Sequence, residues 1–251
     1  MKHALCVGIN DYAWLSPTSS LHGCVVDARE WASLLLDCFG FDSLHLLLDR
    51  QATPEAVEAS LSLLASRAKP GDTVAFTYSG HGTRVPDSDG DEEDGYDEAI
   101  VLQGALYTDD QIAVALSRFK PGVRVVVVAD SCHSGTVTRA IAAGPHPNLS
   151  RFADISPLPG RLHHRFGAPR DGDQLRVLLA GCKPDQTSAD AWLAGGYHGA
   201  LSFHATRLLR ENPRRTWREF GKLLRPCVAR TSEQTPQIEG PSALLDQRVF
   251  G

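Results

Sequence analysis

The amino-acid sequence predicts an α/β fold in which a mostly parallel central sheet is flanked by helices. Two observations support this prediction. Short apolar runs rich in β-branched residues, such as 73–78 and 123–129, are typical of parallel strands that are covered on both faces. Segments with helical periodicity alternate with these runs through mostly short connections, which favours one α/β domain.

The elements of the first half follow in regular order. We expect strands at 4–9, 44–48 and 73–78, and helices at 25–39 and 54–68. Gly40 ends the first helix. The second helix has a favourable start, because Thr53 can cap it, Pro54 suits the first helical position and Glu55 lies in the first turn.

The second half is expected to contain a hairpin around 99–107 and a strand at 123–129, which is the most hydrophobic and should be central. Further elements are a helix at 110–119, a strand at 175–180, and helices at 201–210 and 217–228. Residues 139–172 are rich in Pro, Gly, His and Arg and show no sustained period. A loop of this length inside a compact domain is usually functional or disordered.

Composition excludes several classes of protein. A formal net charge of −5 argues against a nucleic-acid-binding groove. We find no signal-peptide pattern and no apolar run long enough to span a bilayer, so no membrane partner is expected. The cysteines lack CxxC and zinc-site spacing, which predicts free thiols in a cytoplasmic protein. They are Cys6, Cys24, Cys38, Cys132, Cys182 and Cys227.

Two polar motifs, 78–82 (YSGHG) and 130–135 (DSCHSG), each follow a predicted buried strand. Ligand crevices in open α/β sheets lie beyond the carboxyl ends of the strands, so both motifs should border one cleft. Cys132 is the candidate nucleophile and His81 the candidate base. His133 is a rival base, although adjacent residues of an extended segment point to opposite sides. The alternative for Cys132 is a buried cysteine that only packs.

The same strand geometry predicts the surroundings of this pair. The backbone N–H groups of Gly82 and Cys132 are the expected donors to an oxyanion, since glycine allows close approach of the backbone. Ser79 and Asp130 each precede a candidate catalytic residue by two positions. They should therefore share its side of the strand and line the same cleft one layer deeper.

The motifs along the chain resemble those of the metacaspases and their prokaryotic relatives, the orthocaspases, within the caspase-like cysteine peptidases. Besides the two strand-ending motifs, the matching segments are 8–12 (GINDY), 21–28 (LHGCVVDA), 180–189 (AGCKPDQTSA), 199–201 (GAL) and 234–237 (QTPQ). The resemblance implies a single caspase-like (caspase-hemoglobinase) peptidase domain over 1–251. Its large-subunit-like part would be 1–138 and its small-subunit-like part 173–251, with the irregular loop 139–172 between them.

The resemblance also implies a specificity pocket. In metacaspases, the positions of Ser79 and Asp130 form the first substrate pocket together with those of Cys24 and Asp27. An aspartate pair at the base of a pocket selects arginine or lysine. The implied activity is a cysteine endopeptidase that cleaves proteins or peptides after Arg or Lys. The alternatives are a catalytically silent scaffold and a transpeptidase or ligase that uses the same pair.

Calcium is the one cofactor that the resemblance implies. The acidic stretch 87–98 has acids at several EF-hand positions, but Glu92 replaces the turn glycine. Asp97, Asp109 and Asp110 match three calcium-binding positions of the metacaspases, whereas Arg139 stands where a fourth acid is expected.

Self-cleavage is a further expectation for the irregular loop, because arginines tethered beside an arginine-cleaving site are present at high effective concentration. The candidates are Arg139, Arg151, Arg161, Arg165 and Arg170. The alternative is a surface loop whose arginines balance the acidic stretch.

Overall fold

The computed structural model describes residues 1–86, 96–132, 146–155, 175–183 and 186–251. The strands are β1 (Lys2–Gly8), β2 (Ser43–Leu48), β3 (Thr73–Ser79), β4 (Gly82–Pro86), β5 (Tyr96–Leu102), β6 (Ala105–Thr108), β7 (Arg124–Asp130), β8 (Leu149–Ser150), β9 (Leu175–Ala180), β10 (Ala189–Leu193), β11 (Gly196–Gly199) and β12 (Gln237–Glu239). The helices are α1 (Cys24–Phe39), α2 (Pro54–Arg67), α3 (Asp109–Ser117), α4 (Ala200–Glu211), α5 (Trp217–Val228) and α6 (Ser242–Leu245).

A six-stranded sheet with the order β12-β9-β7-β3-β1-β2 forms the centre of the fold. All neighbouring strands in it are parallel except β12, which pairs antiparallel with β9. The predicted α/β class is confirmed, and β7 is an interior strand as expected. The described parts of the two proposed halves share this sheet, because β9 continues it from β7.

Local sequence patterns placed the predicted helices and the predicted strands of the central sheet within two residues of their observed bounds, and the hairpin of β5 and β6 within three. Thr53 caps α2 by accepting a hydrogen bond from the Ala56 N–H at 3.3 Å. The strands β4, β8, β10, β11 and β12 were not predicted. They are short and lack a sustained apolar pattern, and β8 and β12 also pair with strands that are distant in the chain.

The core has two layers, one on each face of the central sheet. Val74 and Phe76 of β3 pack in one layer with α2, whereas Ala75 between them packs in the other with α1 and α5. This alternation is the two-residue period of a strand that is buried on both faces. No helix in the described ranges is both long and apolar enough to cross a membrane.

Candidate active site

The register of the central sheet aligns the two candidate catalytic motifs. Ser79 at the end of β3 lies opposite Asp130 at the end of β7. His81 and Cys132 follow these residues by two positions each, and both are buried. The sheet therefore brings the two motifs to one edge, as the sequence predicts.

The hydrogen bonds of His81 fix its tautomer. Its Nε2 lies 2.7 Å from the carbonyl oxygen of Ser19, and a carbonyl can only accept, so Nε2 carries the proton. Nδ1 is buried and has no hydrogen-bond partner. Burial lowers the pKa of His81 below its ordinary value of 6.5, although the backbone of Ser19 and of Arg151 acts in the opposite direction. The neutral ring thus keeps a free lone pair at Nδ1.

The Cys132 sulfur forms hydrogen bonds with both backbone groups of Ser188. The Sγ donates to the Ser188 carbonyl at 3.2 Å, and the Ser188 N–H donates to the same Sγ. Burial raises the pKa of the Cys132 thiol, and the neighbouring Cys182 adds to this rise. The neutral thiol therefore prevails at pH 7, and a nearby base is needed to make it nucleophilic. The rival base His133 lies outside the described residues.

A segment of the chain itself lies across His81 and Cys132. This cleft segment, residues 149–153, adds β8 to the edge of the β10–β11 hairpin. The Arg151 N–H donates to the Ser188 carbonyl at 3.1 Å, and the Gly82 N–H donates to the Arg151 carbonyl at 2.9 Å. Strand addition to a sheet edge is a common mode of peptide recognition.

The guanidinium of Arg151 is fully buried among acidic groups. Its Nη2 lies 2.7 Å from Asp27 Oδ2 and 3.0 Å from Asp190 Oδ1. Its Nη1 lies 2.7 Å from Ser79 Oγ and 3.3 Å from Asp130 Oδ2, and it donates to the Asp130 carbonyl at 3.0 Å. The predicted pocket residues Asp27, Ser79 and Asp130 thus converge on one arginine.

The protonation of these groups depends on that arginine. Burial by itself would raise the pKa of Asp27, but the Arg151 charge and hydrogen bonds from His198 and Ser79 outweigh it and lower the pKa. For Asp130, burial prevails and raises the pKa against the opposing effect of Arg151. Burial likewise raises the pKa of the Cys24 thiol, which Arg151 opposes, so the fourth predicted pocket residue also lies within reach of the guanidinium charge.

Several residues at the cleft were missed by sequence reasoning. Ser188 and Asp190 belong to a segment that carried only the family resemblance, with no signal for their contacts. Ser19 takes part through its backbone carbonyl, which no side-chain pattern reveals. Gly199 was also missed, although it donates its N–H to both oxygens of Asp27, at 3.0 and 3.1 Å.

The three candidate calcium ligands lie near one another but do not form a complete site. Burial first, and then the charges of Asp110, Glu98 and Asp97, raise the pKa of Asp109 to about 7. Across the described ranges, no group of three or more His, Cys, Asp or Glu side chains is arranged to hold a metal ion. Strands β4 and β5 flank the acidic loop, unlike the helices of an EF-hand. Residues 87–95 and Arg139 lie outside the described residues.

Comparison with known proteins agrees with this arrangement. The family model described as "Metacaspase, peptidase C14 domain" matches residues 2–140. The chain belongs to the metacaspase family of cysteine peptidases. It is 30% identical to Metacaspase-1 of Botryotinia fuckeliana over 99% of this chain and 70% of that protein. It is 31% identical to Metacaspase-1 of Scheffersomyces stipitis over 94% of this chain and 70% of that protein.

Two solved structures share the fold of this chain. A protein from Geobacter sulfurreducens matches this metacaspase with a TM-score of 0.75 and 27% identity, over 99% of this chain and 98% of that one. Caspase-1 from Spodoptera frugiperda matches with a TM-score of 0.62 and 14% identity, over 100% and 91%. The latter likeness concerns the fold, and it confirms the caspase-like architecture.

The close packing at Gly199 gives a stability prediction. A Cβ at Gly199 would overlap Asp130 Oδ2 and the Arg151 guanidinium, whereas a Cβ at Gly196 in the same strand would meet its nearest atom at 3.7 Å. We expect Gly199→Ala to lower the free energy of unfolding by about 1–3 kcal/mol, the usual cost of overpacking. Gly196→Ala serves as the control in the same denaturant titration. Equal effects of the two substitutions would contradict this account of the pocket.

Proposed function

We propose that this metacaspase is an endopeptidase that cleaves after Arg or Lys, with Cys132 as nucleophile and His81 as base. The observation that best supports the proposal is the position of Arg151 in the cleft. The guanidinium of this arginine lies among carboxylates, and its backbone carbonyl accepts a hydrogen bond from the Gly82 N–H. A substrate arginine in the same place would present its carbonyl carbon beside the catalytic pair.

The proposed reaction uses both neutral groups. Cys132 Sγ attacks the carbonyl carbon, a C–S bond forms, and the thiol proton passes to His81 Nδ1. The N–H groups of Gly82 and Cys132 stabilise the oxyanion. The C–N bond then breaks, and His81 returns its proton to the leaving amine. Water hydrolyses the remaining thioester, with His81 again as the base.

Reporter peptides that differ only at the cleaved position test this function. We expect turnover with Arg or Lys and none with Asp or Leu, because only a cation balances the buried carboxylates. Cys132→Ala and His81→Ala should each reduce kcat by orders of magnitude while thermal unfolding stays unchanged. The exposed substitution Asp246→Asn is the control. Binding without turnover would instead favour the scaffold, and products joined to an added amine would favour a transpeptidase.

The protonation state of His81 predicts the acid side of the pH profile. A protonated ring cannot accept the thiol proton, so activity is lost as the pH falls through the pKa of His81. Because burial lowers this pKa, we expect the midpoint of the acid limb below 6.5. Steady-state kinetics from about pH 4 to pH 8, a range that spans the ordinary histidine pKa, measure this midpoint. A midpoint above 6.5 would contradict the assignment.

We further propose that the protein cleaves itself after Arg151. Of the five candidate arginines, Arg151 is the one that lies within the described residues. Its carbonyl accepts a hydrogen bond from Gly82, the proposed oxyanion donor. Incubated protein should yield a fragment that begins at Phe152, whereas the Cys132→Ala and Arg151→Gln variants should lack it. Sequencing of the new N-termini measures this. Fragments that begin elsewhere, or an active chain that stays whole, would show that Arg151 is not the cleaved residue.

We also propose that calcium activates the protein, on the basis of the three neighbouring aspartates alone. A divalent cation would offset the mutual repulsion of Asp97, Asp109 and Asp110, so millimolar calcium should raise kcat of chelator-treated protein. Asp110→Asn should weaken this response, and Asp37→Asn, an exposed aspartate of α1, should leave it intact. Activity that ignores both calcium and a strong chelator would exclude calcium activation.

A further inference from the structure

Asp190 is a buried carboxylate to which the mechanism above gives no role. It lies at the second position of β10 and is fully buried. Besides Arg151, it accepts hydrogen bonds from the backbone N–H groups of His22 at 2.8 Å and Gly23 at 3.1 Å. These donors stand at the start of α1, so Asp190 links the hairpin to the helix that carries Asp27.

The acceptors around the Arg151 guanidinium fall into two sets. Nη1 is held by Ser79 and Asp130, and Nη2 by Asp27 and Asp190. Asp27 connects the two sets, since its Oδ2 also accepts a hydrogen bond from the Ser79 hydroxyl at 2.7 Å. Asp190 contacts Nη2 alone, and Nε is buried without a hydrogen-bond partner. Recognition of the guanidinium therefore depends on its two terminal nitrogens.

Asp190 has little room to turn away from this position. A Cβ at Gly23 would overlap Asp190 Oδ1 and would lie 2.6 Å from His198 Cα. The carboxylate is thus fixed by its two backbone donors on one side and by close packing on the other. These contacts direct its Oδ1 at Nη2 of Arg151.

Arginine and lysine differ in how they can satisfy this arrangement. A guanidinium presents two terminal nitrogens in a fixed plane, whereas an ammonium is a single point charge on a flexible stem. One ammonium placed among Ser79, Asp130 and Asp27 leaves Asp190 Oδ1 as a buried charge without a cation, which is costly. We propose that Asp190 is a specificity-determining residue that makes the pocket prefer Arg over Lys. The inference rests on the proposed function.

The test compares two reporter peptides that are identical except for Arg or Lys before the cleaved bond. In the parent protein, kcat/KM should be higher for the Arg peptide. In Asp190→Asn, the ratio of the two kcat/KM values should fall by about tenfold or more, as expected for loss of a charge-assisted hydrogen bond to Nη2. Asparagine keeps an oxygen for the His22 and Gly23 N–H groups but directs its amide at the guanidinium.

The ratio separates selectivity from structural damage. Both peptides meet the same enzyme, so any loss of folded protein and any competition from Arg151 cancel in the ratio. The exposed substitution Asp246→Asn should leave the ratio unchanged. If Asp190→Asn does not fold, Asp190→Ser must show the same fall, since serine can accept from the Gly23 N–H and leaves space for water.

Each outcome decides the inference. A reduced ratio with a retained Lys rate supports the role of Asp190. A parent that cleaves after Arg, with an unchanged or increased ratio in the Asp190 variants, overturns that role and leaves the proposed function intact. A parent that cleaves neither peptide overturns both.

Discussion

One guanidinium lies among three buried aspartate side chains at the centre of this protein. Asp27 comes from α1, Asp130 from β7 and Asp190 from β10, and all three are fully buried around Arg151. Removing such charges from water costs several kcal/mol each, which only a cation with good geometry offsets. The arginine thus holds together elements from distant parts of the chain, and any ligand that displaces it must bring a cation of its own.

The central sheet determines where this charge cluster lies relative to the proposed catalytic pair, His81 and Cys132. Ser79 and Asp130 are opposite each other in the β3–β7 register, and His81 and Cys132 follow at the same spacing. One side of the two strand ends thus carries both acceptors for the guanidinium and reactive groups for the carbonyl.

Burial also affects the charge state of the proposed catalytic pair. It raises the pKa of Cys132 and lowers that of His81, so both groups are neutral when the cleft is occupied. The Ser19 carbonyl requires the proton on Nε2, which leaves Nδ1 as the basic nitrogen. A neutral pair avoids the cost of a buried ion pair, and in the proposed reaction charge develops only when the thiol proton moves to His81.

The sequence by itself determined the strands and helices of the central sheet, because their apolar periodicity is local. It also predicted that His81, Cys132, Ser79 and Asp130 lie at one edge of the sheet, because polar residues after buried parallel strands gather there. Only the tertiary structure placed the Arg151 guanidinium among the buried acidic groups and revealed the contact of Asp190 with it. Arg151 lies 124 residues from Asp27 and 39 from Asp190 in the chain. Contacts over such separations depend on how the hairpin and the cleft segment pack, and no local pattern encodes that.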